Sequence, residues 1–164
     1  MEYKNKLESG TTIIEVLMAL VLLTLGLIPI FAIMTASTTL SSNIRDNLIA
    51  ANLAQEGIEV VRAIRDTSWL NEELYNQDLP NGDYRVSWDS DSLMPYDANA
   101  FLKKDANKIH SYASGSDTIF KRRINISSVA SSCSCELKVI SEVTWLEKNV
   151  NRVVTVEDHL FNWK

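Results

Sequence analysis

The sequence has little of what builds a cross-linked, flexible or nucleic-acid-coating protein. Two cysteines in 164 residues cannot make a disulfide framework. Five glycines and three prolines exclude collagen-like and low-complexity material. Lys and Arg total 16 against 21 Asp and Glu, a formal net charge of −5, so the basic footprint of a general nucleic-acid binder is missing. Neither histidine, His110 or His159, stands in a catalytic spacing, and no nucleophile–base pair, phosphate loop or dinucleotide fingerprint is present. No catalytic residue and no cofactor are therefore expected. The most informative absence is local: the 29 residues 16–44 contain no Asp, Glu, Lys, Arg or His. A soluble reading of the whole chain fails there.

That stretch grades from apolar (16–34) to uncharged polar (35–43). As a helix, 29 residues reach about 43 Å, more than a hydrocarbon core of about 30 Å. Twelve Leu, Ile, Val or Phe residues in 16–34 favour insertion by about 4–7 kcal/mol, which outweighs an acid at the margin such as Glu15. Lys4, Lys6 and the amino terminus face only Arg45 across the span, which tilts the N-terminus towards the cytoplasm. A conventional secretory signal is disfavoured, because the apolar run is too long and Met34-Thr35-Ala36 is a poor cleavage box.

An uncompensated carboxylate near hydrocarbon is penalised, so Glu15 either finds a cation or, at the margin of the span, snorkels into water. No Lys, Arg or His lies within two turns on its C-terminal side. Its neighbours Ser9-Gly10-Thr11-Thr12-Ile13-Ile14-Glu15-Val16-Leu17 follow a short polar, basic leader and precede the apolar run. This segment resembles the start of type IV prepilins and type II secretion pseudopilins. Gly10 ends the leader, Thr12 and the aliphatic pair Ile13-Ile14 follow, and Glu15 is the fifth residue after the cut. Thr11 departs from the pattern, which usually has Phe or another bulky apolar residue there. The resemblance implies cleavage between Gly10 and Thr11 by a prepilin peptidase, N-methylation of Thr11 and pairing of Glu15 with the Thr11 amine of a neighbouring subunit. Removing ten residues from 164 leaves 154. Implied partners are the peptidase, other pilin or pseudopilin subunits, and a membrane platform with a cytoplasmic ATPase. The implied product is an extracytoplasmic filament reached from the inner membrane. The competing class is a single-pass adhesin or binding module whose helix only anchors a β-rich head.

Gly26 and Pro29 interrupt the apolar helix and predict a kink or local loosening. Beyond it, Ile44, Leu48, Ala51, Ala54, Ile58, Val61 and Ile64 recur at helical spacing. Arg45, Asn52, Glu56, Glu59, Arg62 and Asp66 lie opposite, with Glu59–Arg62 and Arg62–Asp66 placed to pair. The expected fold is α+β: one helix over about 12–66, its first half transmembrane, packed on a C-terminal antiparallel sheet. The expected divisions are leader 1–10, assembly half 11–44 and head 45–164.

For the head, residues 67–82 read as a connecting loop anchored by Trp69 and Leu70. Tyr84, Val86 and Trp88 alternate as a half-buried strand, and 89–117 reads as a long loop with one short strand near 109–112. Phe120, Arg122, Ile124 and Ile126 share one strand face, and Leu137, Val139, Val143 and Trp145 share another. Val150, Val154 and Val156 follow a hairpin turn at Glu147-Lys148-Asn149.

The remaining constellations are weak. Asp89, Asp91 and Asp97 are the best candidate metal ligands, and some pseudopilin heads bind calcium in such loops. The central Gly and terminal Glu of a calcium loop are missing, so a solvated acidic loop and no metal site are expected. Lys121-Arg122-Arg123 splits between two strand faces, which makes nucleic-acid binding the poorer reading of that run. Cys133-Ser134-Cys135 leaves three readings open: a strained disulfide, an unpaired thiol pair or half of an intermolecular link.

Overall fold

The computed structural model describes residues 12–129 and 136–162. The chain divides into two compact units, residues 1–44 and 45–164. One helix, α1 (Ile13–Leu70), contributes to both. The architecture is α+β and pilin-like, a long apolar N-terminal helix packed through its later part on an antiparallel sheet.

In the first unit, α1 runs unbroken through Gly26 and Pro29. All of its large apolar residues are exposed, from Ile13 at 82% to Met34 at 60%. This is the one helix among the described residues that is long and apolar enough to cross a membrane. The hydroxyls of Thr24, Thr35, Thr38 and Thr39 donate to carbonyls three or four residues back, at 2.9–3.2 Å. These four hydroxyls are thus satisfied within the helix itself, which lowers the cost of removing them from water.

In the second unit, α1 turns a buried face of Ala50, Leu53, Ala54, Gly57, Ile58, Val61 and Ile64 onto the sheet. Ile44 and Leu48, expected on that face, are 59% and 61% exposed; the covered face passes instead through Ile49, which packs against the cluster of Ala50, Leu53 and Ala54. Gly57 marks the closest approach. A Cβ there would stand 2.6 Å from Ser141 Oγ and 2.8 Å from Ile124 Cδ1.

The helix also ends later than the expected residue 66. The Thr67 and Ser68 hydroxyls donate to the carbonyls of Ala63 and Ile64, and Trp69 is carried round into the core. It stops where Glu72 adopts a left-handed φ of 62°. There the Glu73 N–H donates to Ser68 O at 2.9 Å and the Glu72 N–H to Trp69 O at 3.2 Å. That is a Schellman stop built without glycine, so composition gave no warning of it. Leu70 is 84% exposed and anchors nothing, while Tyr75 and Leu79 supply the buried contacts of the connection instead.

The main sheet has the order β2-β1-β6-β7-β8, with every pairing antiparallel. Its strands are β1 (Gly82–Arg85), β2 (Met94–Pro95), β6 (Lys121–Ser128), β7 (Glu136–Glu147) and β8 (Val150–Phe161). A small second sheet joins β3 (Lys103–Lys104), β4 (His110–Ser111) and β5 (Ser116–Asp117) in the order β4-β3-β5. The segment read as a loop with one short strand therefore holds several, each only two residues long, too short for periodicity to register.

Strict alternation on β6 and β7 buries Arg122, Ile124, Ile126, Leu137, Val139, Ser141, Val143 and Trp145 on the helix side. β1 ends at Arg85, short of the predicted Val86 and Trp88, because the Ser87 N–H turns to Ser90 Oγ at 2.8 Å. Val86 is still buried, but Trp88 is 53% exposed. Val150 lies at the hairpin tip and is 52% exposed, unlike the half-buried Val154 and Val156.

Candidate functional site

Glu15 is the third residue of α1. Its N–H donates to Thr12 O at 3.0 Å and approaches Thr12 Oγ1 at 3.4 Å, which makes Thr12 the helix cap. The Thr-x-x-Glu spacing is that of a capping box, a signal visible in the sequence that our reading of Glu15 did not use. Glu15 is exposed, its neighbours Ile13, Ile14, Val16 and Leu17 are 49–82% exposed, and no cation pairs with it among the described residues. The carboxylate thus sits in the first turn, where the helix dipole favours negative charge, on an otherwise apolar surface. Gly10 and Thr11, the expected cleavage and methylation positions, lie outside the described residues, as do Cys133 and Cys135.

A second polar centre, missed in the sequence, sits inside the head. Arg122 has no exposed side-chain surface. Its guanidinium donates to Leu53 O at 2.8 Å, to Glu56 Oε1 at 2.9 Å and to Val86 O. One side chain therefore ties the helix backbone, a helix carboxylate and the end of β1 together. The alternation puts it on the face shared with Phe120, Ile124 and Ile126, but nothing local reveals that a helix carboxylate and two carbonyls converge on it. The flanking Arg123 does face outward and pairs with Glu142 at 2.5 Å.

The polar flank of α1 behaves partly as expected. Arg62 meets Glu59 at 2.8 Å, but its second partner is Asp158 on β8 at 2.9 Å. Asp66, the expected partner, is taken by Arg65 at 2.9 Å.

The two histidines occupy opposite environments. His110 on β4 is held below its ordinary value of 6.5, chiefly by burial and then by Lys104. His159 on β8 contacts Glu136 at 2.5 Å and Glu157 at 3.0 Å, and these carboxylates, Glu136 first, hold its imidazole above 6.5. Lys138 and then His159 in turn hold the Glu157 carboxyl below its usual range. Asp89, Asp91 and Asp97 are all exposed, and Asp97 spends one oxygen on the Asn99 N–H at 2.9 Å. Among the described residues, no three His, Cys, Asp or Glu side chains gather closely enough to hold a metal.

Neither family models, curated proteins nor solved structures gave a match to this chain. Its chemistry is therefore argued from its own geometry: an exposed apolar helical surface, one unpaired carboxylate near its start, and a head with its own core.

Proposed function

We propose that the chain is a structural subunit of a type IV pilus or type II secretion-like filament and acts by polymerisation. The observation that carries the reading is Glu15, unpaired among the described residues, at the start of a helical surface whose apolar residues are all exposed. In this reading the subunit waits in the inner membrane with its leader in the cytoplasm. A prepilin peptidase removes residues 1–10 and methylates the new Thr11 amine. Each Glu15 then meets the cationic Thr11 amine of a neighbour as helices 13–34 exchange lipid for one another. In a low-dielectric bundle either charge alone is heavily penalised, whereas the pair is compensated, so the contact sets axial register rather than adding much net stability. Gly26 and Pro29 are where the helix loosens during extraction. The platform and its ATPase drive that step, and the head decorates the fibre.

Intact-mass measurement of the protein from membranes containing an active prepilin peptidase tests this. The expected result is loss of the first ten residues, blocked by Gly10→Ile. A chain that keeps its leader overturns the filament reading and favours a single-pass binding module. Glu15→Ala should be processed normally yet fail to enter fibres; normal incorporation would refute the pairing.

A further inference from the structure

The two ends of the head differ in charge. α1 and β7 run in opposite directions through its core. Ala50 and Leu53 share a buried cluster with Val143 and Trp145, Gly57 faces Ser141, and Ile58, Val61 and Ile64 meet Leu137 and Val139. The seven residues from Ser141 to Lys148 cover about 23 Å of strand, and the twelve from Gly57 back to Arg45 about 18 Å of helix. The β7–β8 turn therefore stands at the Arg45 end of the head. Leu102 and Phe120 belong to the cluster of Ala50 and Leu53, which brings the small sheet to the same end.

Three segments form this end: 45–55, 97–121 and 144–152. They hold seven Lys or Arg against five Asp or Glu, a net +2, whereas the rest of 45–164 holds seven against thirteen, a net −6. Pairing does not cancel the excess. The one ion pair among these residues joins Arg152 to Glu147 at 3.1 Å. Arg45, Lys103, Lys104, Lys108, Lys121 and Lys148 form none among the described residues, against four acids without one, Asp46, Asp97, Asp105 and Asp117. Leu146 and Val150, which flank the turn, are 57% and 52% exposed. Bulky apolar groups beside unpaired cations suit an interface with a charged outer layer and hydrocarbon beneath it.

The chain enters the head at this same end. Arg45 opens the head unit, and the uncharged residues 35–44 join it to the apolar run 16–34. As helix that link measures about 15 Å, of which a headgroup layer takes up about 5–7 Å. The basic end is thus tethered to a membrane surface wherever 16–34 crosses the bilayer, and the acidic end is not.

We infer that the Arg45 end of the head, with the β7–β8 turn foremost, docks on anionic lipid headgroups of the membrane that carries the apolar helix. Lys148 and the other unpaired cations meet the phosphates, and Leu146 and Val150 enter the interface. The inference rests on the membrane insertion of 16–34 described above, but not on leader removal or polymerisation.

The test places full-length protein in lipid nanodiscs doped with a gadolinium-chelate lipid and reads paramagnetic broadening of backbone amides. Amides 146–150 should broaden about threefold more in phosphatidylglycerol-rich discs than in phosphatidylcholine discs, and high salt should remove the difference. Amides 137–139, at the other end of β7, should broaden little in either. Lys148→Glu combined with Lys108→Glu, both at exposed positions, should bring the phosphatidylglycerol result down to the phosphatidylcholine one. Equal broadening of the turn in the two discs, or of both ends of β7, would overturn the inference. Tighter capture of the turn by a short DNA duplex than by phosphatidylglycerol would also overturn it, by assigning the basic end to nucleic acid. Extraction of the chain from membranes by alkaline carbonate would refute the insertion itself and the docking with it, whereas a retained chain with an unbroadened turn would refute the docking alone.

Discussion

Two stretches of α1 hold comparable apolar side chains and treat them in opposite ways. From Ala50 onward the helix is amphipathic, and Ile58, Val61 and Ile64 are 0–4% exposed beneath the sheet. Over 13–34 the apolar residues encircle the helix, and none of the large ones is less than 43% exposed. Apolar content alone does not distinguish the stretches; its angular distribution does. A one-sided stripe can be covered by one sheet, whereas a surface apolar all round needs lipid or other helices on every side. The head half is therefore complete in one chain, and the other half is built for surroundings that the chain does not supply.

Paired truncations should break this comparison most visibly. Ile64→Ala should destabilise the head by about 2–5 kcal/mol in denaturant unfolding, whereas Leu22→Ala, at a site 67% exposed, should leave it within about 0.5 kcal/mol. A comparable loss from both would mean that the halves share one core. Next, Arg122→Met should cost the head about 3 kcal/mol, the lower end for a broken buried pair because Glu56 keeps contact with water. Gly57→Ala should cost about 1–3 kcal/mol, since Ser141 and Ile124 must shift. Gly26→Ala, with nothing within 4 Å of its added Cβ, should not harm the head.

The smallest effect is a pH dependence. His159 is held above 6.5 in the folded state by Glu136 and Glu157. Its contribution to stability is thus fully present below 6.5 and is lost as pH rises through the raised folded value. His110, held below 6.5 by burial, works the other way and takes stability away as acid forces it to charge. Thermal melts on either side of neutrality should show the His159 component vanish in His159→Gln while the His110 component stays.

Much of the fold was legible because its signals are periodic. The charge-free run located the exposed half of α1, and alternation on β6 and β7 named inward residues down to Arg122. Short or non-local features were not legible. The strands of the small sheet are two residues each, and the helix stop uses Glu72 where glycine would have announced it. Leu70 carried the same hydrophobicity as a core residue but fell on the far side of the last turn. At the candidate site, Glu15 and the exposed surface around it were evident from composition. Thr12 as its cap was available in the spacing and went unread.

What the sequence by itself determined is where apolar surface must be buried and with what period, since that follows from side-chain chemistry and the geometry of helix and strand. It also marked Glu15 as a charge without a local partner. Tertiary structure alone decided where the sheet begins to cover the helix, which carboxylate Arg62 would take, and that Arg122, itself fully buried, would bind two carbonyls and Glu56. Those outcomes depend on groups 36 to 96 residues apart in the chain meeting within hydrogen-bond range, a distance over which no local pattern carries information.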